Sequence, residues 1–360
     1  MRHLRRTIGA LLVTAVVCGL AAVGASAAPS VVATGLDNPR GLAFGADGTL
    51  YVAEAGRGGT GPCFTNSEPN FVCFGTTGAI TQVSDGVQSR LVTGLPSLAV
   101  ADGGGATGPN DVSLLGNGAI AVTLGLGAPP ATVAPGGLLA GTGLGSVIRL
   151  QGHSGQWRSL ADVAAYEGSA NPDGTDLDTN PYGLLALPGR TIVADAGGNS
   201  VLDVSASGRV STVAAFPQTP FTVPFPGSMD AVPTAVAEGP DGALYVGQLT
   251  GFPFPVGGST VWRIGTAGLE PYRTGFTNVV DIVFGPDGSL YVVEIDSTGL
   301  ATPPPHPPIG SLIRVAPDGT RSTVAAGLFA PGGVALGPDG APYVTVCSVC
   351  AGGGQVLRLG

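Results

Sequence analysis

The 360-residue chain holds 61 Gly and 31 Pro, about a quarter of its residues, a level otherwise met in low-complexity and disordered chains. Disorder also requires low apolar content and high charge, whereas here 44% of residues are hydrophobic and 11% charged. So much Gly and Pro argues against a helical protein, the collagen triplet is absent, and a net charge of −9 disfavours nucleic acid and anionic lipid as partners.

The chain opens with Arg2, Arg5 and Arg6, an apolar run over residues 8–23, and Ala25-Ser26-Ala27, a small-residue cleavage signal. Residues 1–28 are therefore expected to be a secretory signal peptide. Residues 29–360 are expected to form one domain that is secreted or associated with the cell envelope. The apolar run is short of a full membrane span, so no span is expected once the signal is removed. All 15 basic residues are Arg, and losing three of them with the leader leaves a mature charge of −12. Such a surface would concentrate cations or cationic ligands.

A motif then recurs six times. It begins as Asn38-Pro39-Arg40-Gly41 followed by Asp47-Gly48-Thr49-Leu50-Tyr51-Val52. Weaker copies run from Pro109-Asn110-Asp111-Val112 to Gly118-Ala119-Ile120, and from Asn180-Pro181-Tyr182-Gly183 to Ile192-Val193-Ala194-Asp195. Three more centre on Asp241-Gly242, Asp287-Gly288 and Asp339-Gly340. Each copy is an alternating strand, a tight turn and a second strand, and Asp-Gly predicts a type I′ hairpin. A second hairpin follows in most copies, with turns at Asp85-Gly86, Ser207-Gly208, Ala267-Gly268 and Asp318-Gly319. The spacing predicts an all-β, six-bladed propeller of four-stranded antiparallel blades. The last copy lacks a fourth strand, and residues 30–36 resemble the fourth strands elsewhere, so the N-terminal strand should close the last blade and remove an exposed edge.

Long segments fall only after second or fourth strands, at residues 56–77, 128–145, 165–179, 216–232, 251–258 and 296–310. In an up-and-down blade all of these emerge on one face, which is the expected functional surface. Cys63, Cys73, Cys347 and Cys350 lie there too. An even count in an exported chain predicts two disulfides. Because the first and last blades are neighbours in a closed ring, more than one pairing is open.

The repeat resembles NHL-type and six-bladed TolB-like propellers, through the run from Ile192 to Leu202. The wider resemblance is to the ScyD/ScyE family, through Gly35-Leu36-Asp37-Asn38-Pro39-Arg40-Gly41, the run from Asn171 to Gly183, and the Asp195 segment. It implies a secreted propeller and brings no established reaction with it.

Polar columns of the repeat supply candidate ligand-binding residues near the loop-rich face. Asn38, Asn180 and Asn278 mark first-strand entries, beside Arg40 and Tyr182. Glu54, Asp195, Gln248 and Glu294 end second strands, and Asp111 and Asp281 form a third column. Oxygen ligands around a channel suit Ca²⁺, and senescence-marker-type lactonases are similar in using a channel metal. The competing expectation is that these side chains cap loop backbones. Asp176, Asp178 and Asn180 resemble the opening of a calcium loop, but Pro181 and Leu187 stand where its Gly and Glu belong. Catalytic signals are thin: His153 sits in a hairpin turn and His306 in a Pro-rich loop of the elaborated face. The expected function is a monomeric binding module for a small molecule, glycan or protein. A calcium-dependent lactonase and a structural envelope scaffold are the alternatives.

Overall fold

The computed structural model describes residues 28–116, 118–151, 156–222 and 226–360. Residues 1–27 of the expected signal peptide, and His153, lie outside the described residues. The six predicted blades are present as four-stranded antiparallel sheets. Blade one comprises Pro39–Phe44, Leu50–Glu54, Phe71–Ser84 and Val87–Ala99. Blade two comprises Pro109–Leu114, Ile120–Leu124, Ser146–Leu150 and Trp157–Asp162. Blade three runs from Pro181–Leu187 to Val210–Ala215, blade four from Pro233–Glu238 to Gly268–Phe276, and blade five from Val279–Phe284 to Arg321–Phe329. Blade six takes Gly333–Leu336, Pro342–Val346 and Gly354–Arg358 from the C-terminus and Ser30–Leu36 from the N-terminus. First strands touch in turn around the axis, and blade six touches blade one.

Closure rests on apolar burial as well as strand pairing. Ser30 pairs with Arg358 and Leu36 with Gly354. Ala33 and Leu36 are buried between blades with Leu42, Val52 and Val356. Phe44 of blade one meets Tyr343 of blade six edge to face at 4.9 Å. Each blade boundary repeats this arrangement: Ile80 and Tyr51 of blade one pack on Val112, Val122 and Ile148 of blade two. Second strands such as Leu50–Glu54 and Ile120–Leu124 are buried at every position, because successive side chains point to opposite faces of the blade and a neighbouring blade covers each face.

The hairpin turns differ from the expected type. In the Asp47-Gly48 turn, Gly45 N–H donates to Thr49 O and Gly48 N–H to Gly45 O. Of the two named residues, only Gly48 has positive φ, at 82°. Asp47 Oδ1 instead accepts the Thr49 N–H at 3.0 Å. This is a type I turn followed by a left-handed Gly, the three-residue hairpin loop. Type I′ geometry occurs at Asp85-Gly86, where φ is 51° and 75°.

Three elements go beyond the predicted meanders. Cys63–Thr65 pairs with the extended start of blade one's third strand, and Cys63 faces Cys73 in register. A helix spans Val163–Ala170 between blades two and three, its N-terminus capped by Asp162 accepting the Ala165 N–H. Thr219–Phe221 and Gly227–Met229 form a small hairpin between blades three and four. The disulfides are Cys63–Cys73 and Cys347–Cys350, each local to its own blade. Among the described residues no helix is long and apolar enough to cross a membrane.

Leu36 is fully buried at the closing seam. Leu36→Ala is expected to lower unfolding stability by about 2–5 kcal/mol, measured by urea titration. A loss under 1 kcal/mol would show that the N-terminal strand does not hold the ring.

Candidate functional site

The polar columns prove to be clamps in alternate blades. Glu54 of blade one is fully buried. It accepts the Asp37 N–H at 2.8 Å, the Thr81 hydroxyl at 2.5 Å, and Arg90 at 3.0 and 2.7 Å. Asp195 of blade three accepts the Asn180 N–H at 2.6 Å, the Thr179 hydroxyl at 2.7 Å and the Gly198 N–H at 3.1 Å. Glu294 of blade five accepts the Thr277 N–H at 2.8 Å and the hydroxyls of Ser297 and Ser311. Each carboxylate ends a second strand and grips the chain entering the first. Gln248 of blade four accepts the Trp262 indole N–H at 2.7 Å.

The Asn column holds loops. Asn38 Nδ2 donates to Gly56 O and Gly103 O at 2.7 and 2.9 Å. Asn180 Oδ1 accepts from Leu126 N–H at 3.2 Å and Asn110 Nδ2 at 3.3 Å. Asn278 Oδ1 accepts the Leu300 N–H at 3.0 Å, and its Nδ2 donates to Leu249 O. Arg40 donates to Ala106 O at 2.7 Å and stands 5.9 Å from the centre of the Tyr182 ring. Protein donors already engage the Asn oxygens and second-strand carboxylates that a channel-mouth calcium would require. This ring does not fit the metal.

Asp111 and Asp281 enter the axial channel from blades two and five, which stand opposite in a ring of six. Asp111 accepts the Leu184 N–H of blade three, and Asp281 the Val334 N–H of blade six, each at 2.7 Å. Burial, then the Asp281 carboxylate, pushes Asp111 well above the carboxylate range. Burial pushes Asp281 up to about 7.

A pocket of about 590 Å³ opens on the loop-rich face. Its walls carry Glu68, Asp178 and Asp230 together with Phe252 and Phe254. The blade-one loop reaches it by crossing blade two, where Ser67 N–H donates to Gly127 O. Asp230 is oriented by Gln218 Nε2 at 2.7 Å. Burial raises Asp178 to about 6 against the Ser67 hydroxyl, which acts to lower it. The wall loop turns through Thr250 and Phe254, both with positive φ, at 77° and 54°. Of the expected calcium residues, Asp178 and Asn180 line this pocket and Asp176 does not. Glu68, Asp230, Phe252 and Phe254 carry no repeat signal, because each sits in a loop that occurs once. The nearest cue is the alternating Phe-Pro run of residues 252–255.

Glu167 on the interblade helix is 1% exposed, with no hydrogen bond to either carboxylate oxygen. Burial, then the charges of Asp195, Asp173 and Asp178, raises it to about 8. His306 lies on the same face, in another loop. Its Nδ1 is 3.4 Å from Asp296 Oδ2 and its Nε2 3.3 Å from Thr298 Oγ1. The Thr298 hydroxyl donates to Asp296 Oδ1 at 2.8 Å, so its proton is directed to the carboxylate and not to the imidazole.

No family model matches the chain, and no curated protein does. Solved structures do match in fold. A protein assigned as a gluconolactonase aligns with TM-score 0.54 and 12% identity over 93% of each chain. The calcium-binding protein regucalcin from Agrobacterium tumefaciens strain C58 aligns with TM-score 0.53 and 14% identity over 92% of this chain and 93% of its own. A luciferin-regenerating enzyme aligns with TM-score 0.54 and 11% identity over 92% of this chain and 95% of its own. Likeness at this identity establishes a shared six-bladed propeller fold.

The raised carboxyls fix the sign of a pH effect. Glu167, Asp281 and Asp178 bind a proton more tightly when folded than the value of about 4 expected unfolded. Their stabilisation is complete at low pH and is lost as pH rises through about 6 to 8. The melting temperature in chelator-treated buffer of constant ionic strength is expected to be higher at pH 5 than at pH 8. Glu167→Gln should narrow the difference; an equal or wider difference in that variant would contradict the assignment.

Proposed function

We propose that the protein is an exported, monomeric binding module whose loop-rich face takes a small ligand bearing a positive group beside an apolar one. The observation that carries this reading is the pocket itself. Three carboxylates and two phenyl rings converge there from loops of blades one and four and from two interblade connections. Carboxylates supply charge-assisted hydrogen bonds to a cation, and aromatic faces attract the same charge. A volume of about 590 Å³ lies within the range of small-molecule sites. The mature charge of −12 raises the local concentration of cations.

Export is supported by the two disulfides. The residues shared with ScyD/ScyE proteins support membership of that secreted group. The structural hydrogen bonds of Asn38, Asn278, Glu54, Asp195 and Glu294 support a reading in which ligand contact falls in the pocket, which Asn180 alone of the Asn column lines.

A thermal-shift and calorimetric panel of benzylamine, a neutral hexose and benzoate tests the reading. Benzylamine is expected to bind saturably, with affinity at least tenfold weaker in Asp178→Asn and in Phe252→Ala. Binding by none of the three, together with chelator-sensitive hydrolysis of a sugar lactone, would overturn it in favour of the lactonase class.

A further inference from the structure

Among the described residues that line the loop-rich pocket there is no Arg and no His, so Glu68, Asp178 and Asp230 face it without a basic side chain beside them. Two of these acids are already oriented by the protein. Asp178 Oδ1 accepts the Thr179 N–H at 2.9 Å, and the Ser67 side chain also hydrogen-bonds to this carboxylate. Asp230 Oδ1 accepts the Gln218 amide at 2.7 Å. Part of their lone-pair capacity is therefore in use, while their charge is not. The amide of Asn180 on the same wall is engaged too, its Oδ1 accepting from Leu126 N–H and Asn110 Nδ2.

The opposite part of the wall is hydrocarbon. Phe252 and Phe254 have ring centroids 6.5 Å apart and planes at 88°, and Phe221 extends the cluster with its centroid 6.1 Å from that of Phe252. Val232 and Leu249 continue the apolar lining, and Phe252 is 46% exposed. A primary ammonium is a compact, strongly hydrated charge with three N–H donors, each of which needs an acceptor in place of water. Phenyl and aliphatic carbon supply none. A trimethylammonium carries the same charge under a shell of methyl groups. It has no N–H to satisfy, it is attracted by ring faces and by carboxylate charge, and burying its methyl groups is favourable. The mixture of unpaired charge and phenyl wall suits the second kind of cation better than the first.

We propose that the ligand of this pocket is a quaternary ammonium compound, its methylated head lodged against Phe252 and Phe254 and held by the charges of Asp178, Asp230 and Glu68. The assignment rests on reading the pocket as a cation site and narrows that reading to one class of cation. Phe252 is the specificity-determining residue: its ring gives a methylated cation an attraction that an aliphatic side chain of similar bulk lacks. The volume of about 590 Å³ leaves space beyond the head for the group that carries it.

The test is calorimetric titration of the full mature chain with choline, ethanolamine and 3,3-dimethylbutan-1-ol. Ethanolamine lacks choline's methyl groups, and the alcohol matches choline's shape without its charge. Choline is expected to bind saturably and at least tenfold tighter than either. Phe252→Leu, which keeps apolar bulk and removes the ring, should weaken choline at least threefold. Phe252→Tyr, which keeps a ring, should hold choline within twofold of wild type. Absence of saturable choline binding would overturn the proposal. So would ethanolamine or the alcohol binding as tightly as choline, or equal choline affinity in wild type and Phe252→Leu. Benzylamine separates this result from the pocket reading: saturable benzylamine binding beside any of these outcomes overturns the quaternary class alone, and its absence overturns both.

Discussion

Six twisted sheets can share one axis only if the ring closes, and everything on the loop-rich face depends on that closure. A four-stranded blade buries its faces only against its neighbours, so an open ring would expose two apolar faces and an unpaired edge. The closing contact joins the two ends of the chain: Ser30–Leu36 on Gly354–Arg358, with Leu36 and Val356 buried beneath. Once closed, the up-and-down order of each blade sends every second-strand exit and every blade-to-blade connection to the same side. The pocket is a product of that geometry. Its residues are far apart in sequence and come together because four blades deliver loops to one point.

Carboxylates serve three distinct roles in this acidic chain. Glu54, Asp195 and Glu294 are buried but supplied with donors, and they clamp the entries of alternate blades. Asp111 and Asp281 stitch their inner strands to the next blade while facing the channel. Glu167 has no donor on either oxygen, and the pocket acid Asp230 accepts from Gln218. Low dielectric makes an unsatisfied buried carboxylate costly and a satisfied one structural. Hydrogen-bond supply therefore separates architectural acids from acids able to take a ligand.

The fold was legible in the sequence because propeller blades are repeats and repeats announce their strands. Asp-Gly pairs, strand alternation and the fourth-strand likeness of residues 30–36 all led to the observed ring. The turn type was not legible: Asp47 uses its carboxylate to cap the Thr49 N–H, and only Gly48 takes the left-handed conformation. The interblade helix was hidden in a segment rich in Ala and flanked by Gly and Pro. The Gly runs at 56–61 and 103–108 allow close packing. A Cβ at Gly108 would meet Ala55 O at 2.4 Å, and one at Gly75 would meet Gly58 O at 2.0 Å. The site was least legible. Repetition marks what every blade needs, whereas Asp230, Phe252 and Glu68 belong to loops that occur once.

The central claim is that the repeat columns hold the fold while the pocket loops hold the ligand. Unfolding stability and benzylamine affinity measured together on Asn278→Ala and Asp178→Asn test it most directly. The account predicts a reciprocal pattern: Asn278→Ala loses about 1–3 kcal/mol of stability with affinity changed less than threefold. Asp178→Asn keeps its stability or gains some, and loses at least tenfold in affinity. An Asn278→Ala protein that is fully stable yet no longer binds would contradict it.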